Sequence, residues 1–193
     1  MFDVEIFRQA VPVLASAAVV TVKLTAAAAA VSLVVGTLSA VLQVGGGRPG
    51  YWISRAYVSV MRGTPLFVQL LVVFFGLPLL GLHGQAFLAA AIAIGLNSGA
   101  YVTEILRAAI LAVPRGQVEA AEAVGLSRTA IGRRIVLPQA AITSIPMLTA
   151  ELTIVLKSTP LASVISVTEM TYAGVLIQAR SRPRSRRSRE SRR

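Results

Sequence analysis

Long apolar segments separated by short polar ones make up most of this chain. Residues 24–47 contain no charged side chain, and residues 63–103 contain no Asp, Glu, Lys or Arg. A helix of about 20 apolar residues crosses a hydrocarbon core of about 30 Å, so the second segment is too long for one crossing, and GLPLLGLHG breaks it. The pattern predicts helical membrane spans at about residues 24–44, 64–80, 86–106 and 138–156.

The polar segment GGGRPG follows the first predicted span and is typical of a turn. Residues 51–61 come next and carry Trp52 and Tyr57, which are side chains enriched at membrane surfaces. We therefore expect an interfacial helix there, before the second span begins.

A longer polar interval, residues 113–138, lies between the last two predicted spans and is typical of two short helices joined by a tight turn. Pro114 suits the first position of a helix, and Gly125 predicts its end. Ser127 can cap a second helix, which Pro138 ends or kinks. The two helices are predicted at about residues 116–124 and 128–137, with an apolar side made of Val118, Ala121, Val124, Leu126, Ile131 and Ile135.

Such a unit has three interpretations. A glycine turn between two helices with basic residues is typical of a DNA-binding helix-turn-helix, which residues 117–137 would form. A cytoplasmic docking hairpin between membrane spans is the second interpretation, and a polar connector without a partner is the third. The segments on either side decide among them.

Composition favours a membrane protein. Hydrophobic residues make up 55% of the chain and charged residues 14%, against roughly 25% charged in an average soluble domain. The net charge of +11 is concentrated in residues 180–193, which hold eight arginines and one glutamate. The chain has no cysteine, and His83 is its one histidine, so we expect no disulfide and no metal site.

The distribution of arginines predicts the orientation. The links at residues 45–63 and 107–134 hold three and five arginines, whereas the link at residues 76–85 holds none. By the positive-inside rule, the N-terminus lies outside and the polar interval lies in the cytoplasm. A soluble DNA-binding protein has no such flanking spans, so the docking hairpin is favoured and no specific nucleic-acid partner is expected.

The same interval carries a family signature. Glu119-Ala120-Ala121, then Gly125 and Ile135-x-Leu137-Pro138, resembles the EAA motif of ABC-importer permeases. Three further stretches resemble the subgroup that imports polar amino acids, namely RGTPLFVQ from Arg62, SGAYVTEILR from Ser98 and LKSTPLASVI from Leu156. The likeness covers about residues 10–179. The chain departs from the subgroup in having Ala150, Ser158 and Pro160 where Asn, Asp and Ser are usual.

The resemblance implies an all-α, polytopic helical bundle with four clear spans, a fifth span expected, and a cytoplasmic coupling loop at residues 107–137. It implies the transmembrane subunit of an ABC importer for polar amino acids in the bacterial cytoplasmic membrane, and not an enzyme. No G-x-x-x-x-G-K-[ST] motif occurs, so no cofactor is expected in this chain, and ATP belongs to another subunit. The implied partners are a cytoplasmic ATPase dimer, a second permease subunit (identical or related), an extracytoplasmic solute-binding protein, an amino acid and membrane lipid.

The resemblance also implies two sets of functional residues. Glu119 and Gly125 are expected to position the two short helices, while Ala120, Ala121 and Leu126 fill a groove on the ATPase. The ATPase-coupling set is Glu119, Ala120, Ala121, Gly125, Leu126, Ile135, Leu137 and Pro138. The candidates for the substrate path are Thr64, Gln69, Asn97, Ser98, Tyr101, Glu104 and Glu151.

The two carboxylates of that path lie in apolar segments. A charge there costs about 2.5–3.5 kcal/mol, so each should face a partner, a cavity or a substrate. For Glu104, pairing with Arg107 or Lys157 is an equal alternative. For Glu151, which lies deeper in its span, we favour contact with a positively charged amino-acid group.

The C-terminal sequence departs from the family. The resemblance implies one more span of about twenty residues after Gln178, but RSRPRSRRSRESRR stands there instead. We expect residues 157–179 to form an external re-entrant or interfacial segment and residues 180–193 a disordered tail. Either residues 160–178 cross the membrane as a substitute span, or the permease is truncated and impaired.

Overall fold

The computed structural model describes residues 4–82 and 85–181, and this part of the chain is helical, with no β-strand. His83 lies outside it, as does the predicted tail apart from residues 180 and 181. The α-helices are α1 (Val4–Gly45), α2 (Gly47–Gly63), α3 (Leu66–Gly76), α4 (Ala86–Leu111), α5 (Arg115–Ala123), α6 (Arg128–Ile131), α7 (Leu137–Ser158) and α8 (Met170–Ser181). Two 3₁₀ segments, Leu77–Leu80 and Thr159–Ile165, and a π-helical turn, Gly132–Val136, connect some of them.

Helix α4 is the centre of the bundle. Helices α1, α2, α3 and α7 all pack against it, and 61% of its most apolar stretch is buried, compared with 17% for α1 and 22% for the helix that contains α7. Its buried face is made mainly of small residues, which let neighbouring backbones approach closely. The exposed apolar side chains of α1 and α7 are those that lipid would cover in a membrane.

In the part of the chain that the structure describes, three helical segments are long and apolar enough to cross a membrane: Ala10–Gly45, Ala86–Leu111 and Arg128–Ile165. Helix α3 has 11 residues, or about 16 Å, and is too short to cross alone. It reaches the required length only together with α2, from which it is bent by 108°. The span expected at residues 64–80 corresponds to α3 and the 3₁₀ segment after it, and the difference from the expectation is that α2 adds to this length across a bend.

Helix α2 is the reason for this difference. It turns back at Gly47, whose φ of +61° favours glycine, and runs antiparallel along α1. A buried hydrogen bond of 2.8 Å joins the hydroxyls of Ser39 and Ser54, and a Cβ at Gly50 would lie 2.8 Å from the carbonyl oxygen of Leu42. The predicted helix at residues 51–61 is therefore part of α2, whose Gly50, Ser54 and Val58 face is buried while Trp52 stays exposed, and its interfacial location stays a prediction.

Glycines also set the separation of α1 and α4. A Cβ at Gly36 would lie 2.6 Å from Cβ of Val102, and a Cβ at Gly95 would lie 2.6 Å from Cβ of Val31. Both distances are shorter than two carbon atoms tolerate, so only glycine fits while the helices keep this spacing.

We expect Gly95→Ala to destabilise the folded chain by about 1–3 kcal/mol, because the added methyl group must push α1 away from α4. Thermal unfolding of the detergent-purified protein measures this as a lower midpoint temperature. Gly76→Ala is the matched control, since a Cβ at this helical position meets nothing within 4 Å. Equal midpoints for the two variants would contradict the close-packing explanation.

The helix that follows the coupling loop continues through Pro138. The second loop helix was predicted to run to about residue 137 and to end or kink at Pro138, and the structure contains no break there. Proline cannot donate a hydrogen bond to the carbonyl four residues earlier, and its ring crowds that carbonyl. The π-helical turn Gly132–Val136, in which the N–H of Leu137 donates to the carbonyl of Gly132, changes the hydrogen-bond pattern at this point. The predicted span at residues 138–156 lies within α7.

The C-terminal helix α8 packs against α1 and is capped by a buried acid. The carboxylate of Glu169 accepts hydrogen bonds from the backbone N–H groups of Thr171 (2.9 Å) and Tyr172 (2.6 Å), and the hydroxyl of Thr21 accepts one from Met170 (3.0 Å). These bonds satisfy the first N–H groups of the helix. At 12 residues, or about 18 Å, α8 is shorter than a membrane crossing.

Candidate functional site

A buried carboxylate joins α4 to α7 in the middle of the bundle. The hydroxyl of Ser98 donates a 2.8 Å hydrogen bond to Oε1 of Glu151, and these residues are 4% and 7% exposed. Among the residues that the structure describes, no Lys or Arg lies within ion-pair distance of Glu151. An acid placed in this way has one neutral hydrogen-bond donor and no protein cation to offset its charge.

Two cavities meet at this pair. The first has a volume of about 170 Å³ and is lined by Asn97, Ser98, Tyr101, Glu151 and Ser158, with Leu66, Ile94, Ile154 and Val155 completing its wall. The second has a volume of about 240 Å³, lies between α1, α4 and α7, and is mostly apolar. Ser98, Glu151 and Val155 belong to both linings. The carboxylate is therefore open to both cavities. The first, whose lining includes these five polar or charged side chains, is the polar cavity, and the second is the apolar cavity.

Gln69 and Asn97 hold the bend between α2 and α3 against α4. The side-chain amide of Gln69 donates to the carbonyl of Met61 (2.9 Å) and to the hydroxyl of Thr64 (2.7 Å). That of Asn97 donates to the same Met61 carbonyl (2.9 Å) and to Oε1 of Gln69 (3.1 Å). Thr64 and Gln69 are thus occupied with the backbone of the bend, whereas Asn97 contacts the bend and also lines the polar cavity.

Tyr101 lies one helical turn after Asn97, on the same face of α4. The guanidinium of Arg62, at the end of α2, lies 5.0 Å from the centre of its ring. This distance is typical of a cation–π contact. Arg62 begins the RGTPLFVQ motif, but it was not among the site residues predicted from the sequence.

Glu104 lies apart from the cavities. Its carboxylate accepts a 3.2 Å bond from Nε of Arg107, lies 3.9 Å from Nη1 of Arg55 and accepts a 3.4 Å bond from Nε2 of Gln43. Of the two interpretations of Glu104, the structure shows the ion pair with Arg107, and it shows none with Lys157. Six of the seven candidates for the substrate path are brought together around the bend and the polar cavity, and Glu104 is not among them.

The coupling loop contains the predicted turn. Gly125 has a φ of +80°, its N–H donates to the carbonyl of Glu122 (2.9 Å), and the N–H of Leu126 donates to that of Ala121 (3.1 Å). This pair of bonds defines a Schellman motif, in which glycine adopts the left-handed conformation. The hydroxyl of Ser127 accepts a 3.3 Å bond from the N–H of Ala130, the third residue of α6, so the predicted cap is confirmed.

The exposed surface of the loop differs from expectation in two residues. Ala121 was expected to fill a groove on the ATPase, but it is 4% exposed, because α5 packs against α6 and the π-helical turn. Val124 was placed on the apolar side, and it is 76% exposed at the end of α5. Among the other coupling residues, Glu119, Ala120, Gly125, Leu137 and Pro138 are exposed, while Leu126 and Ile135 are half-buried.

Known proteins resemble this chain at the level of the family, of individual sequences and of a solved structure. The family described as "Binding-protein-dependent transport system inner membrane component" matches residues 32–181. The chain is 39% identical over 158 residues to the arginine transport system permease protein ArtQ of Bacillus subtilis (81% of this chain, 72% of that one). It is 38% identical over 170 residues to the L-cystine transport system permease protein TcyB of Bacillus subtilis (88% and 73%) and 36% identical over 175 residues to the glutamine transport system permease protein GlnP of Escherichia coli (90% and 80%). Among solved structures, the crystal structure of an amino acid ABC transporter with histidines matches with a TM-score of 0.84 and 35% identity, covering 93% of this chain and 84% of that one.

Proposed function

The chain belongs to the family of binding-protein-dependent transport system inner membrane components, and on that premise we propose that it moves a polar amino acid across the bacterial cytoplasmic membrane. It is a permease subunit of an ABC importer and not itself an enzyme. The helix-turn-helix alternative has no support, because residues 117–137 continue directly into α7 and belong to the transport fold.

The observation that carries this proposal is the buried carboxylate of Glu151. It lines a cavity of about 170 Å³ and has a hydroxyl donor, and no Lys or Arg of residues 4–82 and 85–181 lies within ion-pair distance of it. Keeping a charge inside an apolar bundle costs about 2.5–3.5 kcal/mol unless a partner offsets it. The ammonium group of an amino acid is such a partner, and Asn97, Ser98 and Tyr101 offer neutral hydrogen-bonding groups around it.

We assign the coupling loop to contact with a cytoplasmic ATPase dimer. Its outer surface presents Glu119, Ala120, Val124 and Leu137, and the turn at Gly125 fixes the direction of the two helices that carry them. A second permease subunit and an extracytoplasmic solute-binding protein complete the proposed importer. Closure of the ATPases would then rock the two permease subunits and expose the cavity alternately to the two sides.

Uptake measurements test this function. The chain is expressed with the ATPase and solute-binding protein of its own transport system in cells that lack other uptake of the tested compounds. L-arginine, L-glutamine and L-cystine are the probes, because relatives are named for their transport. We expect ATP-dependent uptake of at least one of them. A correctly inserted complex that takes up none of the three would overturn the proposed function.

A further inference from the structure

Helix α2 carries Arg48, Arg55 and Arg62 at intervals of seven residues, which places them on one face. Arg62 lies near the end of α2, about 22 Å along the helix from the turn at Gly47 and next to the bend that leads into α3. Arg55 faces Glu104. Within residues 4–82 and 85–181, no carboxylate lies within ion-pair distance of Arg62. The side chain of Arg62 is exposed, so its guanidinium is free to bind an anion.

The position of Arg62 is fixed from two sides. The carbonyl of its neighbour Met61 accepts two hydrogen bonds of 2.9 Å, from the side-chain amides of Gln69 and Asn97. Its guanidinium lies over the ring of Tyr101, 5.0 Å from the centre. Asn97 and Tyr101 both line the polar cavity, so the backbone and the charge of Arg62 are held against two wall residues of that cavity.

The polar cavity therefore has an unpaired negative group in its lining and an unpaired positive group beside its wall. Glu151 supplies the first and Arg62 the second, with Tyr101 next to Arg62. An α-amino acid carries one ammonium and one carboxylate on the same carbon atom. A guanidinium binds a carboxylate through two parallel hydrogen bonds, which fixes orientation as well as charge.

We propose that Arg62 binds the α-carboxylate of the transported amino acid while Glu151 faces its ammonium group. This assignment rests on the proposed function and adds a specificity-determining residue to it. The two charges together select amino acids and reject amines that lack the carboxylate. A guanidinium that only stacks on Tyr101 would stabilise the bundle without affecting this choice.

Direct binding to the purified permease–ATPase complex tests the assignment, without the solute-binding protein, so that selection reflects the permease. The probes are L-arginine, L-glutamine and L-cystine, each compared with its decarboxylated amine: agmatine, 4-aminobutanamide and cystamine. For the amino acid that binds, we expect the wild-type complex to prefer it over the amine by about 10- to 100-fold. In Arg62→Gln the preference should fall to about one, through loss of affinity for the amino acid alone. Arg48→Gln is the matched control, since it removes the same charge from an exposed position on the same helix, and it should keep the full preference.

Each outcome decides one claim. A wild-type complex that binds amino acid and amine equally overturns the role of Arg62, even if the Gln variant fails to fold. The role of Arg62 is also overturned if Arg62→Gln keeps the preference for the amino acid, or if this variant loses affinity for the amino acid and the amine equally. Either result leaves the transport function intact. A wild-type complex that binds none of the six compounds and shows no uptake overturns the proposed function, and the assignment of Arg62 falls with it.

Discussion

Glu151→Gln is expected to reduce uptake at low substrate concentration by about 30-fold or more, with little effect on insertion of the chain. Glutamine keeps the size of the side chain and its hydrogen bond with Ser98, but it removes the negative charge that faces the cavity. Loss of one partner from a buried, hydrogen-bonded charge pair costs about 2–5 kcal/mol, and each 1.4 kcal/mol corresponds to a factor of ten. Initial uptake rates and the amount of complex in the membrane are measured together.

Two companion variants separate charge from packing. Glu104→Gln removes a carboxylate of α4 that pairs with Arg107 instead of lining a cavity, so it should lower the unfolding temperature slightly and leave the apparent substrate affinity unchanged. Ser98→Ala removes one hydrogen bond from Glu151 but keeps its charge, so we expect a loss of about tenfold. If Glu104→Gln impaired uptake as severely as Glu151→Gln, the special role of Glu151 would be contradicted.

The sequence predicts the fold where one physical effect dominates. Long apolar runs with at most one charged side chain indicate α1, α4 and α7, because little else stabilises so many apolar residues in a row. It predicts α2 less completely. Its three arginines and amphipathic pattern indicate a helix, but the fit of Ser54 and Gly50 against α1 depends on tertiary packing.

The same limit applies to the site. An acid in an apolar run indicates a functional or paired carboxylate, and its deeper position favours function for Glu151, but the sequence leaves two interpretations of Glu104, since its pairing depends on where Arg55 and Arg107 lie in space. The sequence predicts the local structure of the coupling loop more completely. Gly125 and Ser127 act on residues within four positions of themselves, so the turn and the cap follow from the sequence. The π-helical turn before Pro138 requires the tertiary structure, because proline alone permits either an end or a continuation.

Gly125→Val is expected to lower the rate of uptake by about tenfold or more, while the chain still inserts into the membrane. Gly125 has a φ of +80°, a conformation that a β-branched residue adopts only under strain. Relief of that strain would break the two hydrogen bonds that the Schellman motif makes with Glu122 and Ala121 and would redirect α6 relative to α5. The exposed residues on the two helices would then no longer match the ATPase surface. Substrate-stimulated ATP hydrolysis and uptake are measured on the same reconstituted complex.

The contrast between side chains at this one position identifies the cause. Asparagine adopts the left-handed conformation at little cost, so Gly125→Asn should keep most of the uptake although it adds a larger side chain than alanine. Space is not the constraint, because a Cβ at Gly125 meets nothing within 4 Å. Gly132→Ala, which adds a methyl group to the π-helical turn without a positive φ, should also keep uptake. If Val and Asn at position 125 impaired coupling equally, contact with the partner through the glycine itself would be the cause. If the Val variant transported normally, this turn would have no role in coupling.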